Sequence, residues 1–145
     1  MRILIIGGGG REHTITWKIK SFSEKYEIFA IPGNGGISFI GECIKKDIHN
    51  FDEILNVVEE KNIDIIIVGP ENPLADGIVD FFKDKGYKIF GPNKKAATLE
   101  SSKCFAKEFM KKYRIPTAEF EIVNTFEEGF KLIEKRDPPF VIKFD

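Results

Sequence analysis

Two short runs limit what this chain can fold into more than anything else in it: Ile3–Ile6 and Ile65–Val68 contain no polar residue, and each stops at a glycine. A strand that is apolar at every position is buried on both faces, and such strands belong to parallel sheets covered by helices. The stretches between them carry helix signals. A helix is predicted from about Arg11 to Phe22, with Ile15, Ile19 and Phe22 on one side. Ile28–Ile31 makes a second strand, ended by Pro32-Gly33-Asn34-Gly35-Gly36. Asn50 with Glu53 three residues on marks the start of a helix that runs to about Lys61. Asn72 followed by Pro73 resembles a cap with proline at the first helical position, opening a helix over Pro73–Lys85. Tyr87–Phe90 is a fourth strand. Alternation of this kind predicts an α/β fold, a doubly wound parallel sheet spanning roughly residues 1–92.

Beyond residue 100 the alternation changes. A helix is predicted from Ser101 or Ser102 to near Tyr113, with Phe105, Phe109 and Met110 as its apolar side. A strand over Ala118–Val123, a helix capped at Thr125 with Glu128 in support, and a last strand in "FVIKFD" follow. A final strand with nothing after it points to an incomplete second domain. The chain therefore divides into an N-terminal domain over 1–100, a linker helix over 101–117 and the beginning of a second domain over 118–145.

Composition excludes several function classes. With 22 basic and 23 acidic residues the net charge is -1, and no basic block stands out, so nucleic acid is not an expected partner. The apolar runs are too short to cross a membrane, and glycines interrupt the N-terminal run too early for a signal peptide. Cys43 and Cys104 have no metal-type spacing, which fits two reduced thiols in a cytoplasmic protein.

The first apolar run leads into Gly7-Gly8-Gly9-Gly10, then Arg11, Glu12 and His13. A dinucleotide fingerprint needs G-x-G-x-x-G and an acidic residue about 20 positions on. Gly7 and Gly9 supply two glycines, but Glu12 stands at the third, and the second strand ends in Ile31-Pro32 without a carboxylate. A G-x-x-x-x-G-K-[ST] loop is absent as well. Amides at a helix start still suit an anion, and Arg11 in the first turn opposes the helix dipole unless an anion compensates it. The plainer alternative is that the glycines only permit a tight turn. Pro32-Gly33-Asn34, Gly69-Pro70-Glu71 and Gly91-Pro92-Asn93 all fall at carboxyl ends of predicted strands, the edge where open α/β sheets bind ligands. Asn34 and Glu71 would offer a donor and an acceptor there, although turn chemistry alone favours such residues. Lys103 in a first helical turn and Lys143 within an apolar strand are candidates for nucleotide phosphates, with a fraying helix start and a solvated edge as the ordinary alternatives. His49 is expected to sit just outside a helix cap and do no chemistry, whereas His13 adjoins the glycine loop.

Taken together, "GGGGREH", "PGNGG", "VGPENPLADGIVD", "IFGPNKKAATLESSKCFAKEFM", "IPTAEF" and "PPFVIKFD" resemble, in order and spacing, the N-terminal part of the phosphoribosylamine–glycine ligase family of the ATP-grasp superfamily. The resemblance covers essentially the whole chain. It implies a Rossmann-like pre-ATP-grasp domain followed by the start of an ATP-grasp α+β domain. The activity it implies is the joining of glycine to 5-phosphoribosylamine in purine biosynthesis, with ATP as cosubstrate and Mg2+ (or Mn2+) held by residues beyond this chain. Carried over residue by residue, Gly8, Gly9, Gly10, Arg11, Glu12, Asn34 and Glu71 would line the phosphoribosylamine site. Lys103 and Lys143 would lie near ATP, with no catalytic residue within these 145. The family usually has small residues and a glycine-rich lid after the strand that carries Lys143, whereas Phe144 stands here in place of a typical alanine. The expected protein is a cytoplasmic monomer acting on small molecules, and the chain alone is expected to be inactive as a ligase. A non-catalytic sugar-phosphate-binding module is the alternative, and a dinucleotide-dependent oxidoreductase is disfavoured by Glu12. Replacing Gly9 with valine is expected to abolish sugar-phosphate binding while leaving the fold largely intact.

Overall fold

The computed structural model describes residues 1–145, which form two compact units, 1–97 and 98–145. In the first, β1 (Arg2–Gly7), β2 (Glu27–Pro32), β3 (Glu42–Cys43), β4 (Ile65–Val68) and β5 (Ile89–Phe90) make one parallel sheet in the order β3-β2-β1-β4-β5. The pleat sends alternate residues to opposite faces. Leu4, Ile6, Phe29, Ile31, Ile66 and Val68 enter one apolar cluster, and Ile3, Ile5, Ile28 and Ala30 the other. Both faces are covered, which is why β1 carries no polar residue between Ile3 and Ile6.

α1 (Gly10–Phe22) lies over the Ile3/Ile5 face through Ile15 and Ile19. α2 (Phe51–Glu60), α3 (Glu71–Asp76) and α4 (Ile78–Asp84) cover the other, contributing Ile54, Val57, Val58, Leu74, Ile78, Val79 and Phe82. Asn50 caps α2 as its spacing predicts. Its Oδ1 accepts from the Glu53 amide at 3.2 Å, and its side-chain amide donates to Glu53 Oε1 at 3.0 Å.

Several expectations need correction. Phe22 is 74% exposed, with Lys18 Nζ 4.9 Å from its ring centre, and α1 buries Glu12 and Thr16 instead. Residues 12, 16 and 19 share a helix face, and tertiary contacts turn that face inward although two of its three members are polar. The single helix expected over 73–85 is two, because Gly77 takes a left-handed conformation (φ 102°) that ends α3 and begins α4. α3 opens at Glu71 after Pro70, so Asn72 lies inside the first turn and does not cap it. β5 is shorter than predicted. β3 and α5 (Lys94–Ser101) carried no periodicity strong enough to be seen.

In the second unit, α6 (Lys103–Lys112) is capped by Ser102, whose Oγ accepts from the Phe105 amide at 3.1 Å. α7 (Phe126–Ile133) is capped by Thr125, which accepts from the Glu128 amide at 3.2 Å. The strands expected over Ala118–Val123 and Phe140–Asp145 do not form. Neither segment has a neighbouring strand to share ladder hydrogen bonds with, and an unpartnered strand is not stable in water.

The Asp145 carboxyl group sits at the start of α6, accepting from the Cys104 amide at 3.0 Å and from the Ser102 hydroxyl at 2.9 Å. These two donors, the amide foremost, hold its pKa below the ordinary 3.8. A group lowered in this way stabilises the fold above 3.8, and the contribution is lost as pH falls through the lower folded-state value. An NMR titration of the Asp145 carboxyl carbon should therefore give a midpoint below 3.8 in the folded chain, and Ser102→Ala should raise it.

Candidate functional site

The chain runs from β1 to β2 on one side of β1 and returns as β4 on the other. The strand order reverses there, which opens a crevice at the carboxyl ends of β1 and β4. Three loops converge on this edge: Gly7–Gly10 after β1, Gly33–Gly36 after β2, and Gly69-Pro70 after β4.

Most of the glycines in this region answer to the protein's own packing. Glu12, only 4% exposed, folds back beneath the first loop, and its Oε2 accepts from the Gly9 amide at 2.5 Å. A Cβ at Gly7 would lie 2.7 Å from Glu12 Cγ and 2.8 Å from Pro70 Cδ, and one at Gly9 would lie 2.8 Å from Glu12 Oε2. A Cβ at Gly69 would overlap the Glu12 carboxyl group, and at Gly8 it would press on the Gly33 carbonyl oxygen at 2.5 Å. Gly7 also needs its positive φ of 120° to turn the chain out of β1. Gly10 alone among the four has open space where a side chain would go.

That pattern revises the expectation for Gly9→Val. A branched side chain at residue 9 would strike the Glu12 carboxyl group before it met any ligand, so the substitution does not isolate binding. At Gly10, by contrast, a Cβ would enter open space.

Arg11 Nη1 donates to the Gly69 carbonyl at 2.5 Å, tying the β1 loop to the β4 loop across the reversal point. Asn34 ties the β2 loop to the first: its Nδ2 donates to the Gly8 carbonyl at 2.9 Å and to that of Gly9 at 3.3 Å, while its Oδ1 accepts from the Ile37 amide at 2.9 Å. The ring of His13 rests on Gly36, where a Cβ would run into it, and the "PGNGG" run is the signal in the sequence for this close approach. Glu71 is exposed in the first turn of α3, beside the same crevice. Gly8, Gly9, Gly10, Arg11, Glu12, Asn34 and Glu71 are thus on adjoining loops of the first unit. Lys103, the first residue of α6, and the exposed Lys143 belong to the second.

What the crevice offers a ligand is backbone. With the Gly9 amide taken by Glu12, the amides of Gly10, Arg11 and Glu12 remain as first-turn donors without an intrahelical acceptor, those of Gly10 and Arg11 coming first. They lie at the positive end of α1, and the open position at Gly10 lets an anion approach them. Asn34→Ala removes three hydrogen bonds that hold this loop. At about 0.5–1.5 kcal/mol each, the chain should lose roughly 2 kcal/mol of stability, measurable by urea unfolding.

Residues 1–100 match the family model "Phosphoribosylglycinamide synthetase, N domain", and residues 101–145 match its ATP-grasp (A) domain. The chain belongs to the phosphoribosylglycinamide synthetase family. The phosphoribosylamine–glycine ligase of Clostridium acetobutylicum is 46% identical over all 145 residues, which correspond to 35% of that protein. The crystal structure of the Thermotoga maritima phosphoribosylamine–glycine ligase superposes with a TM-score of 0.70 at 35% identity, over 96% of this chain and 32% of that one. A Staphylococcus aureus N5-carboxyaminoimidazole synthetase, solved with ADP, shares the fold at 20% identity, with a TM-score of 0.71 over 92% of this chain and 35% of that one. The chain spans about a third of the length of the phosphoribosylglycinamide synthetase relatives it matches. No three His, Cys, Asp or Glu side chains converge in it. No helix is long and apolar enough to cross a membrane.

Proposed function

We propose that this chain supplies the phosphoribosylamine-binding part of a phosphoribosylamine–glycine ligase. The enzyme joins glycine to 5-phosphoribosylamine, with ATP cleaved to ADP and phosphate, and gives glycinamide ribonucleotide in purine biosynthesis. Glycine's carboxylate oxygen is a poor leaving group, and phosphorylation to glycyl phosphate makes it a good one. The amine of the sugar then attacks the acyl carbon and phosphate leaves. Holding both reactants in one crevice turns that attack into an effectively unimolecular step.

In this reading the sugar phosphate is received by the amides of Gly10 and Arg11, with Gly8 and Gly9 shaping the loop. Asn34 holds the loop to its neighbour, and Glu71 reaches the ribose hydroxyls or the amine. Arg11 lends positive charge near the phosphate while its guanidinium stays on Gly69. Lys103 and Lys143 are assigned to ATP, and the division into a substrate domain over 1–100, a linker helix over 101–117 and the start of an ATP-grasp domain over 118–145 is part of the same proposal. Cytoplasmic location and a monomeric state are too. Mg2+ (or Mn2+), which would neutralise ATP phosphates, is assigned in the same proposal to residues beyond these 145.

The observation that carries the reading is the open position at Gly10, beside free amides at the reversal point of the sheet. Calorimetric titration with ribose 5-phosphate tests it. Gly10→Val should lower affinity at least tenfold while the thermal transition stays in place, because a Cβ at residue 10 enters open space beside the helix. Equal affinities would remove the glycine loop from the site.

A further inference from the structure

A glutamate that is 4% exposed, in a crevice of glycines and with a single bonded amide, calls for an explanation beyond turn formation. Glu12 occupies the third residue of α1, where a glutamate ordinarily completes a capping box by reaching back to the cap amide. Here the cap residue is Gly9, which has no side chain to return the bond, so only the glutamate half of the box exists. The position is nevertheless built with care: Gly7 and Gly9 from one loop and Gly69 from another each leave room that a Cβ would take from the Glu12 side chain. Residues from both sides of the reversal point are therefore shaped around one carboxyl group. Arg11, the preceding residue, grips the Gly69 carbonyl at 2.5 Å from the opposite side of the same junction.

We infer that Glu12 is a positioning residue for anion binding: by engaging the Gly9 amide and filling the space between Gly7 and Gly69, it sets the loop so that the Gly10 and Arg11 amides face the crevice. On this account Glu12 does not touch the ligand. Its oxygen satisfies the cap amide, the first of the four donors that α1 leaves without an intrahelical acceptor, and the Gly10 and Arg11 amides beyond it are left for the phosphate. Three of the glycines, Gly7, Gly9 and Gly69, are then needed by the glutamate, and Gly10 by the ligand. The inference rests on the proposal that the glycine loop receives a sugar phosphate.

The test uses the 145-residue chain, ribose 5-phosphate as probe, and the variants Glu12→Ala, Glu12→Gln and Gly10→Val. Glu12→Ala should weaken binding at least tenfold, and Glu12→Gln, which keeps an acceptor oxygen for the Gly9 amide, should recover most of it. In the ligand-free protein the Gly9 amide proton, bonded to a carboxyl oxygen, should resonate downfield and exchange slowly. It should lose both properties in Glu12→Ala and keep slow exchange in Glu12→Gln. If Gly10→Val abolishes binding while Glu12→Ala binds like the unaltered chain, the site stands and the positioning role is wrong. If Glu12→Ala fails to fold, the Gln variant decides, since a Gly9 amide that exchanges as fast as an open one there overturns the proposal. No binding by the unaltered chain, or unchanged binding in Gly10→Val, would remove the site itself and the role of Glu12 with it.

Discussion

A chain carrying Gly7→Ala is expected to lose about 3 kcal/mol of folding stability and, with it, measurable affinity for ribose 5-phosphate. Two separate effects add. A residue with a Cβ held at φ 120° costs roughly 1–2 kcal/mol, because the Cβ crowds its own backbone. The same Cβ would lie 2.7 Å from Glu12 Cγ and 2.8 Å from both Glu12 Cδ and Pro70 Cδ, contacts that force two loops apart. Overpacking of that kind costs about 1–3 kcal/mol. Urea unfolding measures the sum, and Gly10→Ala is the matched control. There the added methyl meets nothing within 4 Å, so stability should stay within about 0.5 kcal/mol of the starting chain. A Gly7→Ala chain as stable as the Gly10→Ala chain would mean that the loop relaxes freely and that Glu12 does not fix its shape.

Phe82→Ala should be more damaging still, with an expected loss of about 4 kcal/mol, inside the range for removing a buried phenylalanine. Phe82 is fully buried on α4, within the larger apolar cluster. Its ring meets Phe81 edge-on at 5.2 Å and Tyr87 edge-on at 5.8 Å between centroids, so truncation leaves a cavity and breaks two aromatic pairs. Domains are commonly stable by only about 5–15 kcal/mol, so the variant should be partly unfolded at moderate temperature. Calorimetric melting would show it as a lowered or vanished transition. Phe22→Ala is the contrast. That ring is 74% exposed, and its removal should change stability by no more than about 0.5 kcal/mol.

The contrast between these two phenylalanines also marks how far the chain could be understood before its structure was known. Local pattern was sufficient wherever a signal lies within a few residues. The all-apolar runs at Ile3–Ile6 and Ile65–Val68 require burial on both faces, and they are the central pair of a parallel sheet. Caps at Asn50 and Thr125 are short-range hydrogen bonds, and both form as their spacing predicts, while Ser102, the second of the two serines at the expected helix start, caps α6. The failed dinucleotide fingerprint was equally legible, because it depends on residue type at fixed positions.

Tertiary structure decided what depends on partners far along the chain. Periodicity puts Phe22 on the inner side of α1, but the face that packs on the sheet includes Glu12 and Thr16, whose polar atoms are satisfied locally, Glu12 by the Gly9 amide and Thr16 by the Glu12 carbonyl. Residues 118–123 and 140–145 have strand-like composition and form no strand, since a ladder needs a neighbour that composition cannot supply. Four consecutive glycines look alike in the sequence. Contacts with Glu12, Pro70 and Gly33 close the space at three of them and leave it open at Gly10, a division set by atoms from three loops that only folding brings within reach of one another.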